Sequence, residues 1–290
     1  MAEPVPVDEG LLRGWPLPEP GSDKEGRGTV LLVGGSAGVP GAMMLAGEAA
    51  LRVGAGKLQV ATTSSVARQL AVALPEALVR RTDEAPSGDI AVSAAGDVLE
   101  LAEKASTVLV GPGMMSPDDA AALLAEVLPG LGGRRVVVDA LGSAALTADL
   151  TCLQHLETTP VLTMNPGEVA IVLGVDEGDV RDEPLAAAAR LASSAQAVVL
   201  CGGTAKVVAT PDGDAWRAEV GNPGLGISGS GDVQAGIVAG LLARGADPAQ
   251  AAVWGGWLHG RAGDVLADRI APLGFLAREL PAVLPALVER

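Results

Sequence analysis

The chain has 290 residues, of which 20 are Lys or Arg and 35 are Asp or Glu, so its net charge is −15. This length suits one large α/β domain or two small ones, and the 49% share of hydrophobic residues predicts a large folded core. The negative charge argues against nucleic acid or an anionic membrane as a partner, and two cysteines and two histidines are too few for a disulfide framework or a multi-histidine metal centre.

Short apolar strands alternate with helices along the chain. Residues 1–28, rich in Pro, Gly and charge, are expected to form an extended arm on a single domain of residues 29–290. Strands are predicted at 29–33, 57–62, 77–80, 107–110, 135–138, 160–163 and 197–200, and a β-hairpin at 206–220. Helices are predicted at 42–53, 64–74, 118–128, 185–194, 232–243 and 248–266, with a short one ending at 173 and an amphipathic segment at 275–287.

This alternation predicts an α/β fold with a doubly wound, mostly parallel sheet and helices on both faces. Polar or glycine-rich loops follow four strands, at Gly34–Gly41, Gly111–Gly113, Asn165–Glu168 and Cys201–Thr204. Ligands of such sheets bind beyond the carboxyl ends of the strands, so we expect these loops to meet Gly229–Asp232 at one crevice. Without a secretory signal or a membrane-spanning apolar run, the sequence predicts a cytoplasmic protein.

The segment GNPGLGISGSGDVQAGIVAGLLARG, at 221–245, carries the strongest functional signal. Its glycine-rich turn leads into a helix whose free N–H groups and dipole favour phosphate. Asp232 at the same place would repel phosphate, but it would be useful as a base that takes a proton from a hydroxyl group during phosphoryl transfer. From the residues alone, a helix N-cap role for Asp232 stays equally open.

Other motifs are weaker. Gly224–Gly229 matches GxGxxG but follows a hairpin instead of a first strand, so it does not indicate dinucleotide binding. Asp139, at a strand end, could bind Mg²⁺ or cap the next turn, and Glu168 could contact a metal-bound water or only begin a helix. His259, on a predicted helix with Trp254 and Trp257, is expected to be a hydrogen-bonded core residue.

Taken together, eight segments resemble the ADP-dependent NAD(P)H-hydrate dehydratase family, which has a ribokinase-like fold. They cover nearly the whole chain after residue 28, in order. The segments are VLLVGGSAGVPGAMMLAGEAALRVGAG at 30–56, PEALV at 75–79, VGPGM at 110–114, VVVDALGSAAL at 136–146, NPGEVAIVLG at 165–174, the 221–245 segment, AAVWGGWLHGRAGD at 251–264 and GFLAREL at 274–280.

The resemblance implies that hydrated NADH or NADPH is dehydrated to the intact nucleotide, with ADP (or ATP) as co-substrate and Mg²⁺, yielding AMP and phosphate. Asp232 would be the base in a kinase-like phosphorylation followed by elimination. The implied hydrate site contains Ala42, Gly113, Asn165 and Asp232, and the implied nucleotide site contains Cys201, Gly202, Gly203, Thr204, Ala205, Gly229, Ser230 and Gly231. No protein metal ligand is assigned, and a homotetramer is the expected assembly.

Two positions depart from the family pattern. Many relatives have His in place of Asn165 and Lys in place of Cys201. Asn165 can still donate and accept hydrogen bonds but carries no charge, and the loss of Lys removes a cation from the nucleotide side. Two alternatives therefore stay open: a vitamin-precursor kinase of the same fold, and a catalytically weak nucleotide-binding protein.

Overall fold

The computed structural model describes residues 3–203 and 205–288, which are built around one ten-stranded sheet. The strands are β1 (Val5–Pro6), β2 (Thr29–Val33), β3 (Lys57–Thr63), β4 (Ala77–Thr82), β5 (Thr107–Val110), β6 (Arg135–Asp139), β7 (Val161–Met164), β8 (Val198–Cys201), β9 (Lys206–Ala209) and β10 (Ala215–Ala218). Their spatial order is β1-β10-β9-β8-β7-β6-β5-β2-β3-β4. Every neighbouring pair is parallel except the two that contain β9, which confirms the mostly parallel sheet.

Helices connect most of these strands. They are α1 (Glu9–Gly14), α2 (Gly41–Arg52), α3 (Ala67–Ala73), α4 (Ala95–Ala102), α5 (Pro117–Val127), α6 (Ala144–Ala148), α7 (Pro166–Leu173), α8 (Glu177–Asp182), α9 (Pro184–Ala195), α10 (Ser230–Ala243), α11 (Pro248–Arg269), α12 (Leu280–Val283) and α13 (Pro285–Val288). Within residues 3–203 and 205–288, no helix combines the length and apolar character needed to cross a membrane.

Both faces of the sheet are covered by helices, as predicted. Successive strand residues point to opposite faces, so β2 divides its side chains between two cores. Val30 and Leu32 pack in a core with α2, α10 and α11, whereas Leu31 and Val33 pack in another with α4, α5, α7 and α9. Burial on both faces explains why the strands read as continuous apolar runs.

The strand order reverses between β2 and β5, because β3 and β4 lie on one side of β2 and β5 to β8 lie on the other. The loops Gly34–Gly41 and Gly111–Gly113 leave the carboxyl ends of these two strands. They touch there, since the Gly35 N–H donates to the Pro112 carbonyl at 2.8 Å. This reversal point is where open α/β sheets bind their ligands.

The predicted extended arm is wrong for residues 5–14. β1 pairs with β10, and α1 begins after Asp8, whose carboxylate accepts the Leu11 N–H at 2.8 Å. Leu12 is only 2% exposed, and Trp15 stacks on Trp216 with 5.7 Å between ring centroids. These apolar contacts fold the segment onto the sheet edge despite its Pro-rich and Gly-rich composition. The division of the chain at residue 28 stays a prediction.

The contact between α2 and α10 is close because glycine occupies its central positions. A Cβ added to Gly236 would lie 2.2 Å from the Ala46 carbonyl oxygen, and one added to Gly240 would lie 2.5 Å from the Ala50 oxygen. At the end of this contact, a Cβ on Gly229 would meet Leu45 of α2 at 2.4 Å. The contact therefore holds the N-terminus of α10 beside the loop that follows β2.

Substitution Gly236→Ala should lower the free energy of unfolding by about 2 kcal/mol, because the new methyl overlaps backbone that cannot move alone. Urea unfolding and the melting temperature measure this. Gly96→Ala in α4 is the matched control, since a Cβ there meets nothing within 4 Å and alanine favours helix. Equal stability of Gly236→Ala and wild type would show that the α2–α10 contact is loose.

Candidate active site

A cleft of about 710 Å³ opens at the carboxyl edge of the sheet, between the ends of β7 and β8, the turn before α10, and α11. Of the residues predicted for the site, this cleft is lined by Asn165, Gly202, Gly203, Ser230 and Gly231. A larger cavity of about 840 Å³ lies between the N-terminal segment and the far ends of α2 and α10. It contains none of the predicted site residues, so the smaller cleft is the candidate active site.

The N-terminus of α10 forms an anion site. Gly229 caps the helix at φ 88°, a conformation that favours glycine. The Ser230 N–H donates to the Ile227 carbonyl at 3.2 Å, but in the described part of the chain the N–H groups of Gly229, Gly231 and Asp232 have no acceptor. A Cβ on Gly231 would meet nothing within 4 Å, so a ligand can approach these N–H groups closely.

Asp232 is the third residue of α10, two positions after the helix begins, and Gly229 occupies the N-cap. The open N-cap interpretation of Asp232 is therefore wrong. No residue in 3–203 or 205–288 donates a hydrogen bond to its carboxylate. Burial, with repulsion from Glu168, raises the pKa of Asp232 to about 6. A carboxylate with this pKa is a stronger base than an exposed one and still largely ionised at pH 7.

Asp139 and Glu168 add negative charge to the same edge of the sheet. Asp139 is 6% exposed, and burial, followed by repulsion from Glu168 and Asp232, raises its pKa well above the usual value. Its carboxylate accepts a hydrogen bond from Thr163 Oγ1 at 2.8 Å and does not cap the following turn, so the capping interpretation of Asp139 is wrong. Burial also raises the pKa of Glu168.

Asn165 and Glu168 form a reciprocal cap at the start of α7. The Glu168 N–H donates to Asn165 Oδ1 at 3.0 Å, and the Asn165 N–H donates to Glu168 Oε2 at 2.8 Å. The oxygen of Asn165 is thereby occupied, and its side-chain NH₂ group remains available to a ligand. Asparagine is among the best N-cap residues, which gives this position a structural role as a helix cap.

Ala42 and Gly113 lie together at the reversal point of the strand order. A Cβ on Gly113 would be 2.9 Å from the Ala42 Cβ and 2.6 Å from the Val39 carbonyl oxygen, and Gly113 has φ 71°. The structure thus joins two loops that the sequence separates by about seventy residues. Neither residue lines the 710 Å³ cleft.

The predicted nucleotide-binding residues at 201–205 do not all reach the cleft. Gly202 and Gly203 line the cleft, whereas the Cys201 side chain points into the core under α7 and α9 and Ala205 is buried beside it. Burial raises the pKa of the Cys201 thiol to about 12, so this side chain is neutral and offers no charge to a nucleotide. Thr204 lies outside the described residues.

Lys206, Gln234 and His259 also line the cleft, and the sequence did not identify them as site residues. His259 was expected to be a hydrogen-bonded core residue; it is buried, with Nε2 2.8 Å from Ser230 Oγ, but its Nδ1 has no partner among the described residues. Burial lowers the pKa of His259 well below its usual value, so the ring is neutral. The sequence offers one signal for this group, because Lys206 is a charged residue at the start of an otherwise apolar hairpin strand.

Comparisons with known proteins agree with one family. The family model of NAD(P)H-hydrate dehydratase matches residues 30–286. The chain is 45% identical to the ADP-dependent (S)-NAD(P)H-hydrate dehydratase of Xanthomonas campestris, over 98% of this chain and 96% of that one. It spans about half the length of relatives named as bifunctional NAD(P)H-hydrate repair enzymes.

Solved structures show the same fold. The ADP/ATP-dependent NAD(P)H-hydrate dehydratase of Bacillus subtilis, co-crystallised with ATP and Mg²⁺, has a TM-score of 0.84 at 30% identity and covers 100% of this chain and 99% of its own. A ribokinase-like superfamily protein of Enterococcus faecalis has a TM-score of 0.82 at 23% identity, covering 98% and 95%. The chain therefore belongs to the NAD(P)H-hydrate dehydratase family and has the ribokinase-like fold.

Proposed function

We propose that this protein is an ADP-dependent NAD(P)H-hydrate dehydratase, which converts hydrated NADH or NADPH to the intact nucleotide. The observation that carries this proposal is the position of Asp232, a carboxylate with a raised pKa at a helix N-terminus where three N–H groups have no acceptor among the described residues. A protein that only binds nucleotides has no use for such a base at an anion site. The names of the relatives, including the one from Xanthomonas campestris, supply the substrate.

In the first step Asp232 takes the proton of the hydrate's hydroxyl group. The hydroxyl oxygen then forms a bond to the terminal phosphorus of ADP, and the bond from that phosphorus to the oxygen of AMP breaks. The N–H groups of Gly229, Gly231 and Asp232 donate to the oxygens of the phosphoryl group, where charge develops. Because these donors are fixed by the helix, they need no reorganisation during the reaction.

In the second step the phosphorylated hydrate loses phosphate. The carbon–oxygen bond breaks, the phosphate leaves with the oxygen of the former hydroxyl group, and a neighbouring ring atom gives up a proton as the double bond forms. Phosphate is a far better leaving group than hydroxide, which is the reason for the phosphorylation. The products of the two steps are NADH or NADPH, AMP and phosphate, with one proton released.

Mg²⁺ would accompany the nucleotide in this scheme. Such ions are usually held by one or two carboxylates together with substrate phosphates. Asp139 and Glu168 face the cleft and repel one another, so they are the carboxylates a cation would stabilise. Residues 3–203 and 205–288 contain no cluster of three acidic, His or Cys side chains that could hold a metal, so phosphate oxygens would complete the ligand set. When bound, the ion would neutralise phosphate charge.

ADP (or ATP) with Mg²⁺ as co-substrate, the homotetramer and the cytoplasmic location stay predictions. So do the roles of Ala42, Gly113 and the Asn165 NH₂ group in binding the hydrate.

Substitution Asp232→Asn should lower the rate of NADH recovery from hydrate by about 10²- to 10⁴-fold, the usual contribution of a general base. The absorbance of the dihydronicotinamide band, followed with ADP and Mg²⁺, measures this. The variant should melt no lower than wild type, because it loses a desolvated carboxylate. Asp212→Asn, on the exposed hairpin turn, is the matched control. A wild-type rate in Asp232→Asn would rule out the base role.

The pH profile offers a separate test of Asp232. A base must be ionised, so kcat/KM should rise with pH around an apparent pKa of about 6 and level off above it. Glu168→Gln removes a repelling charge that raises this pKa, so the rise should move to lower pH. Glutamine can still accept the Asn165 N–H and preserve the helix cap. A rise that stays in place, or moves to higher pH, would show that Asp232 is not the titrating group.

A further inference from the structure

Lys206 is a buried cation that lines the cleft and forms no ion pair with the described carboxylates. It is the first residue of β9 and is 7% exposed. Among the described residues, no carboxylate forms an ion pair with its ammonium group and no acceptor receives a hydrogen bond from it. Burial lowers the pKa of Lys206 to about 8, opposed only by the nearby Cys201 thiol. An unpaired charge in such a place destabilises the fold unless a ligand provides its partner.

Two glycines leave space in the cleft for the Lys206 side chain. A Cβ on Gly256 of α11 would lie 3.4 Å from the Lys206 Cβ, and a Cβ on Gly202 would lie 3.5 Å from its Nζ. Side chains at these glycines would crowd the stem and the ammonium group. The positive charge of Lys206 also contributes to the lowered pKa of His259, so the ammonium group lies on the side of the cleft where His259 contacts Ser230.

Two groups that attract anions therefore line the cleft. Lys206 and Gly231 both line it, and the unpaired N–H groups of α10 face the same space. A cation together with free backbone N–H groups is an arrangement that binds phosphate. The whole chain has a net charge of −15, and Asp139 and Glu168 line the same cleft, so an anionic ligand depends on this local arrangement.

We propose that Lys206 binds a phosphate group of the nucleotide and supplies the positive charge that Cys201 lacks. The strand pairing makes this possible, because Cys201 pairs with Val207 across β8 and β9, which places Lys206 next to the end of β8. Cys201 and Val207 point to the core under α9, whereas Lys206 lies on the α11 side. The inference rests on the proposed function in one respect, that the nucleotide is ADP.

The test compares the affinities of ADP and adenosine for wild type and for Lys206→Met, by calorimetry. Methionine keeps the length and packing of the stem but has no charge. ADP binding should weaken at least about tenfold, because a hydrogen bond to a charged group is lost, while adenosine binding should change less than about twofold. Lys104→Met, on the exposed surface, is the matched control and should bind ADP as wild type does. Lys206→Gln should repeat the result with a polar side chain.

The outcomes separate the two proposals. Unchanged ADP affinity in Lys206→Met would overturn the assignment even if wild type recovers NADH from its hydrate. Equal loss of ADP and adenosine affinity would also overturn it, since that pattern indicates a distorted cleft. If wild type binds ADP through Lys206 but never recovers NADH, the proposed function fails and the phosphate contact stands. Melting curves should show Lys206→Met at least as stable as wild type without nucleotide.

Discussion

The close contact between α2 and α10 is the constraint on which the site depends. Gly236 and Gly240 bring the backbones of the two helices together, and this fixes where α10 begins. Its first turn then carries Asp232 and the N–H groups that have no acceptor in the described residues, next to the loop that follows β2. Gly231 lines the cleft, and Asp232 follows it in the helix. A looser contact would leave the sheet intact but would move the base and the anion site relative to the strand ends. The correct positioning of reacting groups contributes much of the catalytic rate, so such a shift would slow the reaction.

The carboxyl edge of the sheet holds charge at the expense of stability. Burial raises the pKa values of Asp139, Glu168 and Asp232, and repulsion from Glu168 adds to this for Asp139 and Asp232. Lys206 is buried with no ion-pair partner among the described residues. Each of these groups would be more stable in water. A phosphate group and its cation supply the missing partners, so part of the binding energy of the nucleotide is expected to come from relief of this repulsion.

Most of the fold, but only part of the site, could be predicted from the sequence. The central strands were found because burial on both faces makes them continuous apolar runs bounded by glycine. β1 and α1 were missed because few apolar residues stand among many prolines and glycines, and α4 was not predicted at all. Asp232 was identifiable because local rules place phosphate at a helix N-terminus. Lys206 was not, because its position depends on the pairing of β8 with β9 and on the distant Gly256.

The separation of Lys206 from the carboxylates has a chemical consequence. An ammonium group beside Asp232 would hold the pKa of that carboxyl low and make it a poorer base, whereas burial and Glu168 raise its pKa to about 6. The strand register keeps the cation on the α11 side of the cleft, next to the neutral side chains of His259 and Cys201. The protein thus provides a cation for phosphate in the cleft and a base for a hydroxyl group in the adjoining first turn of α10, without allowing the two to neutralise each other.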